Sequence, residues 1–384
     1  MSENQTAGTA GVLSFGVQGV RTWQGWVPAA AVIWSLLYAA FGTYLAISAG
    51  GFDTLPEIVT GEMGPTISQF EPRIAWMILL LAGIPGAAVG GVMLLGARGR
   101  LLRPLLLVSG LLLAGVFLFL MTGLNLLIRF GYIPFGVYSL LTGAKFGRDF
   151  LLSLTQWAII HQWLCMMGGF LWLAATVCYF RRSGDACLYC GRRDGLEGWR
   201  GPANAARWGR VAVYVAMLAP TAYAFTRLAW ALGIALGMSS EHLRRGQASG
   251  TWISGLFLAS FGLCGAFLMF GLVQRWGEVF PSWMIGLTGR RVPLSLAIIP
   301  ASLVSVLLMV GGLAIWLRLP KMALNLAATG IEGLAIVWEI FIVIGPTLLF
   351  PLWGAALTVA TLCYYYRRRN PCRVCSRGIR SETV

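Results

Sequence analysis

The feature that most constrains the fold is a series of apolar runs, each about twenty residues or longer, separated by short basic segments. A helix that crosses the hydrocarbon core of a bilayer needs roughly 20 mostly apolar residues. Eight runs meet that requirement: 27–48, 74–97, 104–127, 151–179, 211–236, 252–273, 293–317 and 333–363. The sequence therefore predicts an all-α integral membrane protein of about eight transmembrane helices, with the lipid bilayer as its surroundings.

Charge content supports the same class and excludes another. Only 11% of the residues are charged, whereas a soluble domain carries about a quarter. The net charge of +15 could suggest a nucleic-acid partner, but the basic residues lie in short runs between the apolar stretches and form no continuous patch. The sequence therefore predicts contact with lipid and no nucleic acid.

The basic residues also predict the orientation. With the N-terminus inside, twenty of the 29 basic residues fall in inner segments, eight fall in outer segments, and Arg227 lies within a span. An excess of arginine and lysine marks the cytoplasmic side of a membrane protein. We therefore predict a multi-pass protein of a bacterial inner (plasma) membrane with both termini cytoplasmic.

The two halves of the chain match at an offset near 185 residues. Each half ends in Cys-x8-Cys-x2-Cys, at Cys178, Cys187 and Cys190 in the first and at Cys363, Cys372 and Cys375 in the second. Because four spans are an even number, both copies face the same way, which predicts parallel repeats about a pseudo-twofold axis along the membrane normal.

This duplication predicts the domain organisation. The predicted segments are a disordered cytoplasmic tail 1–24, a first four-helix repeat 25–193, a cytoplasmic linker 194–209, a second four-helix repeat 210–378 and a tail 379–384. Pro346 and Pro351 predict a kinked eighth span, because proline removes a helical hydrogen bond. The aromatic segment 130–150 is predicted to be interfacial or re-entrant.

Two Cys-x2-Cys pairs are the strongest chemical signal. Cytosolic thiols stay reduced, which disfavours disulfides on the arginine-rich side. Four thiolates suit tetrahedral zinc, so we predict one structural Zn²⁺ shared by the two halves and bound by Cys187, Cys190, Cys372 and Cys375. A redox-active dithiol pair, and an absent or partner-shared metal, are the alternatives.

Three polar residues within spans are candidates for substrate binding. Arg227 in the fifth span and Glu339 in the eighth lie at similar depth, which fits a structural ion pair or a site for a polar solute or ion. Snorkelling of Arg227 to the interface is the third interpretation. His161 lies near the middle of the fourth span, as a packing residue or as part of a proton relay or ligand site.

Two short stretches carry a family resemblance. Residues 227–234 read Arg-Leu-Ala-Trp-Ala-Leu-Gly-Ile, and the chain near its C-terminus reads Tyr-Arg-Arg-Arg-x-x-Cys-x-x-Cys from Tyr366 to Cys375. With the arginine-rich inner ends, they resemble uncharacterised multi-spanning membrane proteins of actinobacteria. This resemblance implies no activity.

The sequence contains no nucleotide-binding glycine loop, no His-Glu-x-x-His helix and no serine nucleophile elbow. We predict no catalytic residues, and the favoured function is transport of a small molecule or ion through a polar site between the repeats. The alternatives are a scaffold or sensor that docks a cytoplasmic protein partner, and an enzyme that acts on a lipid or redox carrier.

Overall fold

The computed structural model of the chain describes residues 23–48, 51–52, 64–184, 186–192, 201–284, 286–328, 342, 344–369, 372 and 374–375. Its main helices are α1 (Trp23–Ser48), α2 (Pro72–Ala82), α3 (Ile84–Leu94), α4 (Leu102–Gly115), α5 (Leu124–Leu141), α6 (Lys145–Leu154), α7 (Trp157–Ser183), α8 (Pro202–Ala231), α9 (Ser240–Ala248), α10 (Thr251–Gly271), α11 (Leu294–Ala328) and α12 (Phe350–Arg368). A π-helical turn, Val116–Leu120, extends α4.

Nine helical segments within the described residues are long and apolar enough to cross a membrane. Their outward faces carry large apolar side chains; along α1, for example, Ile33, Leu37, Tyr44 and Ile47 are all more than half exposed. A soluble protein rarely exposes such continuous apolar surfaces to water, whereas the acyl chains of a bilayer solvate them. The chain is therefore a multi-pass membrane protein, as the sequence predicted.

Each half has its own packed core. In the first half α1 packs against α3 and α7, and α4 packs against α7. In the second half α8 packs against α10 and α12, and α11 packs against α12. The most buried large side chains include Trp76 and Trp172 in the first half and Tyr364 in the second.

A third apolar cluster joins the two halves. It contains Leu118, Leu126 and Met166 of the first half and Leu307 and Val310 of the second. Helix α5 supplies much of this junction, because it packs against both α10 and α11.

The sequence predicted about eight spans, and the additional candidate is α5. The predicted third span, 104–127, ends earlier, because the π-helical turn stops at Leu120 and Gly123 is fully extended. The segment around Pro65 forms an antiparallel bridge with Gly123, and Thr66 N donates to Thr122 O at 2.9 Å. These contacts accompany the break between the π-helical turn and α5, which begins at Leu124.

The helices α5 and α6 form an antiparallel hairpin. Gly147 of α6 lies against the backbone of Leu140 in α5, so α6 runs back along α5. At the other end of the hairpin, Arg129 Nη2 lies 3.4 Å from Gln156 Oε1, directly before α7. The chain thus returns close to the start of α5 before α7 begins.

Candidate metal centre

Four cysteines converge beyond the C-terminal ends of α7 and α12. The Sγ atoms of Cys187, Cys190, Cys372 and Cys375 all lie within 4.8 Å of one another. The Sγ atoms of Cys187 and Cys372 are 3.9 Å apart, and those of Cys190 and Cys375 are 3.6 Å apart. The structure therefore brings together the two Cys-x2-Cys pairs that the sequence singled out.

These separations fit one tetrahedral metal ion. A zinc–thiolate bond of about 2.3 Å places neighbouring sulfur atoms of a tetrahedron about 3.8 Å apart. A disulfide would need about 2.05 Å between sulfur atoms, and all eight cysteines of the chain are free. The donor set and its geometry thus suit a structural thiolate site, for which zinc or iron is the expected ion.

The first cysteine pair is shaped by a tight turn that requires glycine. Gly191 has φ +69°, which L side chains rarely adopt. Its N–H donates to Cys187 O at 2.7 Å, and Cys187 N–H donates to Arg192 O at 3.1 Å. The Arg192 N–H also points at Cys190 Sγ, at 3.4 Å. This loop orients both sulfur atoms toward the second pair.

Arginines brace the cluster. Arg181 Nη1 donates to Leu188 O at 3.1 Å, within the first cysteine loop. Arg192 Nη2 donates to Arg369 O at 3.3 Å and so links the two halves next to the sulfur atoms. Four thiolates around a divalent cation carry a net charge near −2, which neighbouring guanidinium groups partly neutralise.

The cysteine thiols do not ionise alike. Burial raises the pKa of Cys190 to about 12. Burial acts in the same direction on Cys372, but backbone N–H groups of Cys375 and Val374 stabilise its thiolate and set its pKa at about 7. A metal ion that binds Cys190 as a thiolate must displace the proton of this thiol.

The two described candidates for substrate binding, His161 and Arg227, contact different aromatic rings. His161 lies in the first half, stacked on Tyr38 with ring centroids 6.2 Å apart, and its Nε2 is 3.4 Å from Cys165 Sγ. Arg227 lies in the second half, with its guanidinium carbon 4.4 Å from the ring centres of both Tyr223 and Trp230. Glu339 lies outside the described residues, so its predicted pairing with Arg227 stays a prediction.

Contacts at the C-terminal ends of α7 and α12 were not predicted from the sequence. Arg182 Nη1 donates to Leu94 O at 3.1 Å, and Tyr179 Oη donates to Ala97 O at 2.7 Å. In the second half, Arg367 Nη2 donates to Leu272 O at 2.9 Å, and Tyr364 Oη donates to Gly277 O at 2.7 Å. The tyrosine and arginine residues that directly precede each cysteine loop are the sequence signal that could have indicated these contacts.

These bonds supply donors to carbonyl groups at or just beyond the ends of α3 and α10, which a helix cannot pair internally. They hold the ends of α7 and α12 in place immediately before the cysteine loops.

No family model, curated protein or solved structure matches the chain. The resemblance to actinobacterial membrane proteins therefore stays a prediction.

Proposed function

We propose that the chain is a transporter-type membrane protein whose two helical repeats are joined at the cytoplasmic face by one structural zinc ion. The observation that carries the proposal is the convergence of four thiols, two from each half, within 4.8 Å. Such a site contributes folding free energy directly, because its ligands are brought together only in the folded protein.

The duplication is supported by contacts that recur 185 residues apart. Cys187 meets Cys372, and Cys190 meets Cys375. Equivalent residues of two repeats contact each other where a twofold axis passes between them. Two such contacts in one cluster fit a pseudo-twofold axis through the metal site.

Other equivalent residues behave alike in the two halves. Tyr179 and Tyr364 each donate a hydroxyl to a carbonyl beyond the neighbouring helix, and the Thr176 and Thr361 hydroxyls each donate to the carbonyl four residues earlier. These pairs favour the predicted repeats 25–193 and 210–378, joined by the linker 194–209. The predicted tails 1–24 and 379–384 lie outside the described residues, apart from Trp23 and the backbone of Gln24.

The hairpin α5–α6 fits eight crossings. The chain leaves α4, follows the hairpin out and back, and enters α7 beside Arg129. If the hairpin stays on the outer side, α7 and α12 both end on the cytoplasmic side, where reducing conditions preserve thiolate ligands.

Transport is the favoured role because polar residues inside a membrane are costly and usually functional. His161 and Gln162 are buried within a span, and the Nδ1 atom of His161 and the Oε1 atom of Gln162 have no hydrogen-bond partner among the described residues. A polar solute or an ion passing near α7 would satisfy them. Arg227 would contribute from the second half.

A scaffold or sensor is the second candidate. The observation in its favour is that His161 and Arg227 contact separate sets of aromatic rings, one in each half. In this interpretation the zinc site fixes a rigid inner face that docks a cytoplasmic protein.

Metal analysis tests the zinc site. We expect about one zinc ion per purified chain, retained after Cys264→Ser, because Cys264 lies in α10 outside the cluster. We expect Cys372→Ser to reduce the bound zinc at least tenfold. Metal that persists after Cys372→Ser contradicts the proposal. A wild-type protein that lacks metal and whose four thiols cycle to disulfides also contradicts it, and favours the redox alternative.

Ion currents separate transport from scaffolding. Proteoliposomes on a solid-supported membrane are challenged with concentration jumps of H⁺, Na⁺, K⁺ and Cl⁻. A transporter gives a current with one of these ions that is lost in His161→Leu and retained in His242→Leu, the matched change of the other histidine. Absence of current for every ion, with the zinc site intact, favours the scaffold.

A further inference from the structure

The connection between the second and third predicted spans of each half differs greatly between the two halves. In the first half, residues 95–101 join α3 to α4. In the second half, residues 272–293 join α10 to α11 and contain a short 3₁₀ turn, Arg275–Gly277, and an antiparallel bridge between Val279 and Arg291. We call residues 272–293 the inserted segment.

The inserted segment is held against the helices. Trp276 stacks on Phe267 of α10, with ring centroids 5.1 Å apart and planes 16° from parallel. Arg368 Nη1 at the end of α12 donates to Val292 O at 3.1 Å. Arg367 Nη2 forms an ion pair with Glu278 Oε1 at 2.8 Å. The segment is therefore preorganised.

A groove of about 380 Å³ lies between the inserted segment, α10, α11 and α12. That volume falls within the range of small-molecule sites. Among the described residues, its walls contain no charged side chain and are rich in aromatic groups and methionine: Phe267, Met269, Trp276, Trp283, Met284 and Trp353. Such a lining suits a flexible hydrocarbon chain.

Two arginines of the inserted segment adjoin residues that line this groove, Arg290 by backbone pairing with Phe280 and Arg291 by sequence next to Val292. The backbone carbonyl of Arg290 accepts from Phe280 N–H at 3.0 Å, and Phe280 and Val292 both line the groove. The side chains of Arg290 and Arg291 are exposed. Trp283, which also lines the groove, is 73% exposed, as expected for tryptophan at a membrane interface.

We propose that the groove binds one anionic glycerophospholipid, with an acyl chain between α10 and the inserted segment and the phosphate on Arg290 and Arg291. The positive charge of the two arginines favours an anionic headgroup, and the uncharged walls of the groove favour an acyl chain. This inference goes beyond the proposed function: it requires a membrane environment but neither zinc nor transport.

Native mass spectrometry of the full-length protein tests the site. The protein is purified in detergent and mixed with equal amounts of dioleoyl phosphatidylglycerol and dioleoyl phosphatidylcholine. We expect one phosphatidylglycerol per chain to be retained preferentially. Each basic residue near anionic lipid contributes on the order of 1 kcal/mol, so Arg290→Gln with Arg291→Gln lowers that affinity about thirtyfold. Arg100→Gln, in the short connection of the first half, leaves it unchanged.

A second pair of variants tests the groove itself. A Cβ on Gly265, which lines the groove, meets no atom within 4 Å, so Gly265→Phe fills the groove without a backbone clash. The matched control is Gly91→Phe in α3, where a Cβ also has open space. Only Gly265→Phe abolishes the retained lipid. Equal retention of both lipids, or binding unaffected by the arginine or Gly265 changes, overturns the proposal. A dimer broken by Gly265→Phe overturns it too, because the occupant is then a second chain.

Discussion

At the residue scale, the metal site depends on a few backbone features as well as on its four sulfur atoms. Gly191 adopts a left-handed conformation, and a Cβ there would lie 3.0 Å from Arg181 Nε. The four cysteines were recognisable from the sequence because metal-binding loops keep fixed spacings. The hydrogen bonds of Arg181 and Arg192 could not be predicted, because their partners are backbone carbonyls that only the folded chain brings near.

The glycine change gives a prediction for metal retention. Gly191→Ala imposes strain of about 1 kcal/mol on the cysteine loop and should accelerate zinc transfer to a colorimetric chelator several-fold. Gly143→Ala is the control, because Gly143 has φ +71° but joins α5 to α6, outside the cysteine loops. Equal transfer rates in the two variants would show that the loop geometry does not hold the metal.

The thiol ionisation gives a prediction for pH. Because the pKa of Cys190 is raised to about 12, this thiol is protonated at neutral pH until a metal displaces its proton. Zinc affinity should therefore rise with pH and fall as acid restores the protons, and zinc addition should release protons. Chelator competition between pH 6 and pH 8 checks the direction, and an affinity independent of pH contradicts thiolate ligation.

At the element scale, close helix packing depends on small residues. A Cβ on Gly354 of α12 would lie 2.5 Å from the Met309 side chain and 2.6 Å from Ser305 O in α11. The sequence predicted most apolar spans because their length and composition suffice. It misplaced the end of the third span, because the extended Gly123 pairs with Pro65, far away in sequence. Segment 130–150 was predicted to be interfacial or re-entrant, but its two helices were not predicted, since Arg129 and Pro134 interrupt the apolar pattern.

A pair of glycine changes tests this packing. Gly354→Ala should lower the free energy of unfolding by about 1–3 kcal/mol, because α11 and α12 must separate. Gly265→Ala should leave it unchanged or raise it by up to about 1 kcal/mol, since its Cβ meets open space. Thermal unfolding in detergent measures both, and similar losses would contradict the close approach.

At the scale of the whole molecule, an apolar cluster within the bundle joins the two halves of the chain, and four cysteines, two from each half, converge at one end. The convergence of the cysteines could be predicted from the sequence, because the two Cys-x2-Cys motifs lie 185 residues apart, near the ends of the two predicted repeats. The separation of His161 and Arg227 into different aromatic surroundings was not visible, because depth along a helix does not determine which neighbour a side chain faces.

Labelling of introduced cysteines tests the topology. In a variant with the native cysteines outside the cluster replaced by serine, Gly143→Cys between α5 and α6 and Gly250→Cys before α10 should react with a membrane-impermeant maleimide from outside intact cells. With the predicted cytoplasmic N-terminus, both turns are expected on the outer side if the hairpin does not cross. Reaction of Gly143→Cys only after cell lysis would make α5 a ninth crossing.

X-ray absorption at the zinc edge of the purified protein shows directly which atoms bind the metal. One ion held by two cysteines from each half predicts four sulfur neighbours at about 2.3 Å and no nitrogen or oxygen ligand. The same measurement on Cys187→Ser and on Cys372→Ser should show that either change removes or remodels this shell. A mixed sulfur and nitrogen shell in the wild-type protein, or a four-sulfur shell that survives either substitution, would contradict the shared site.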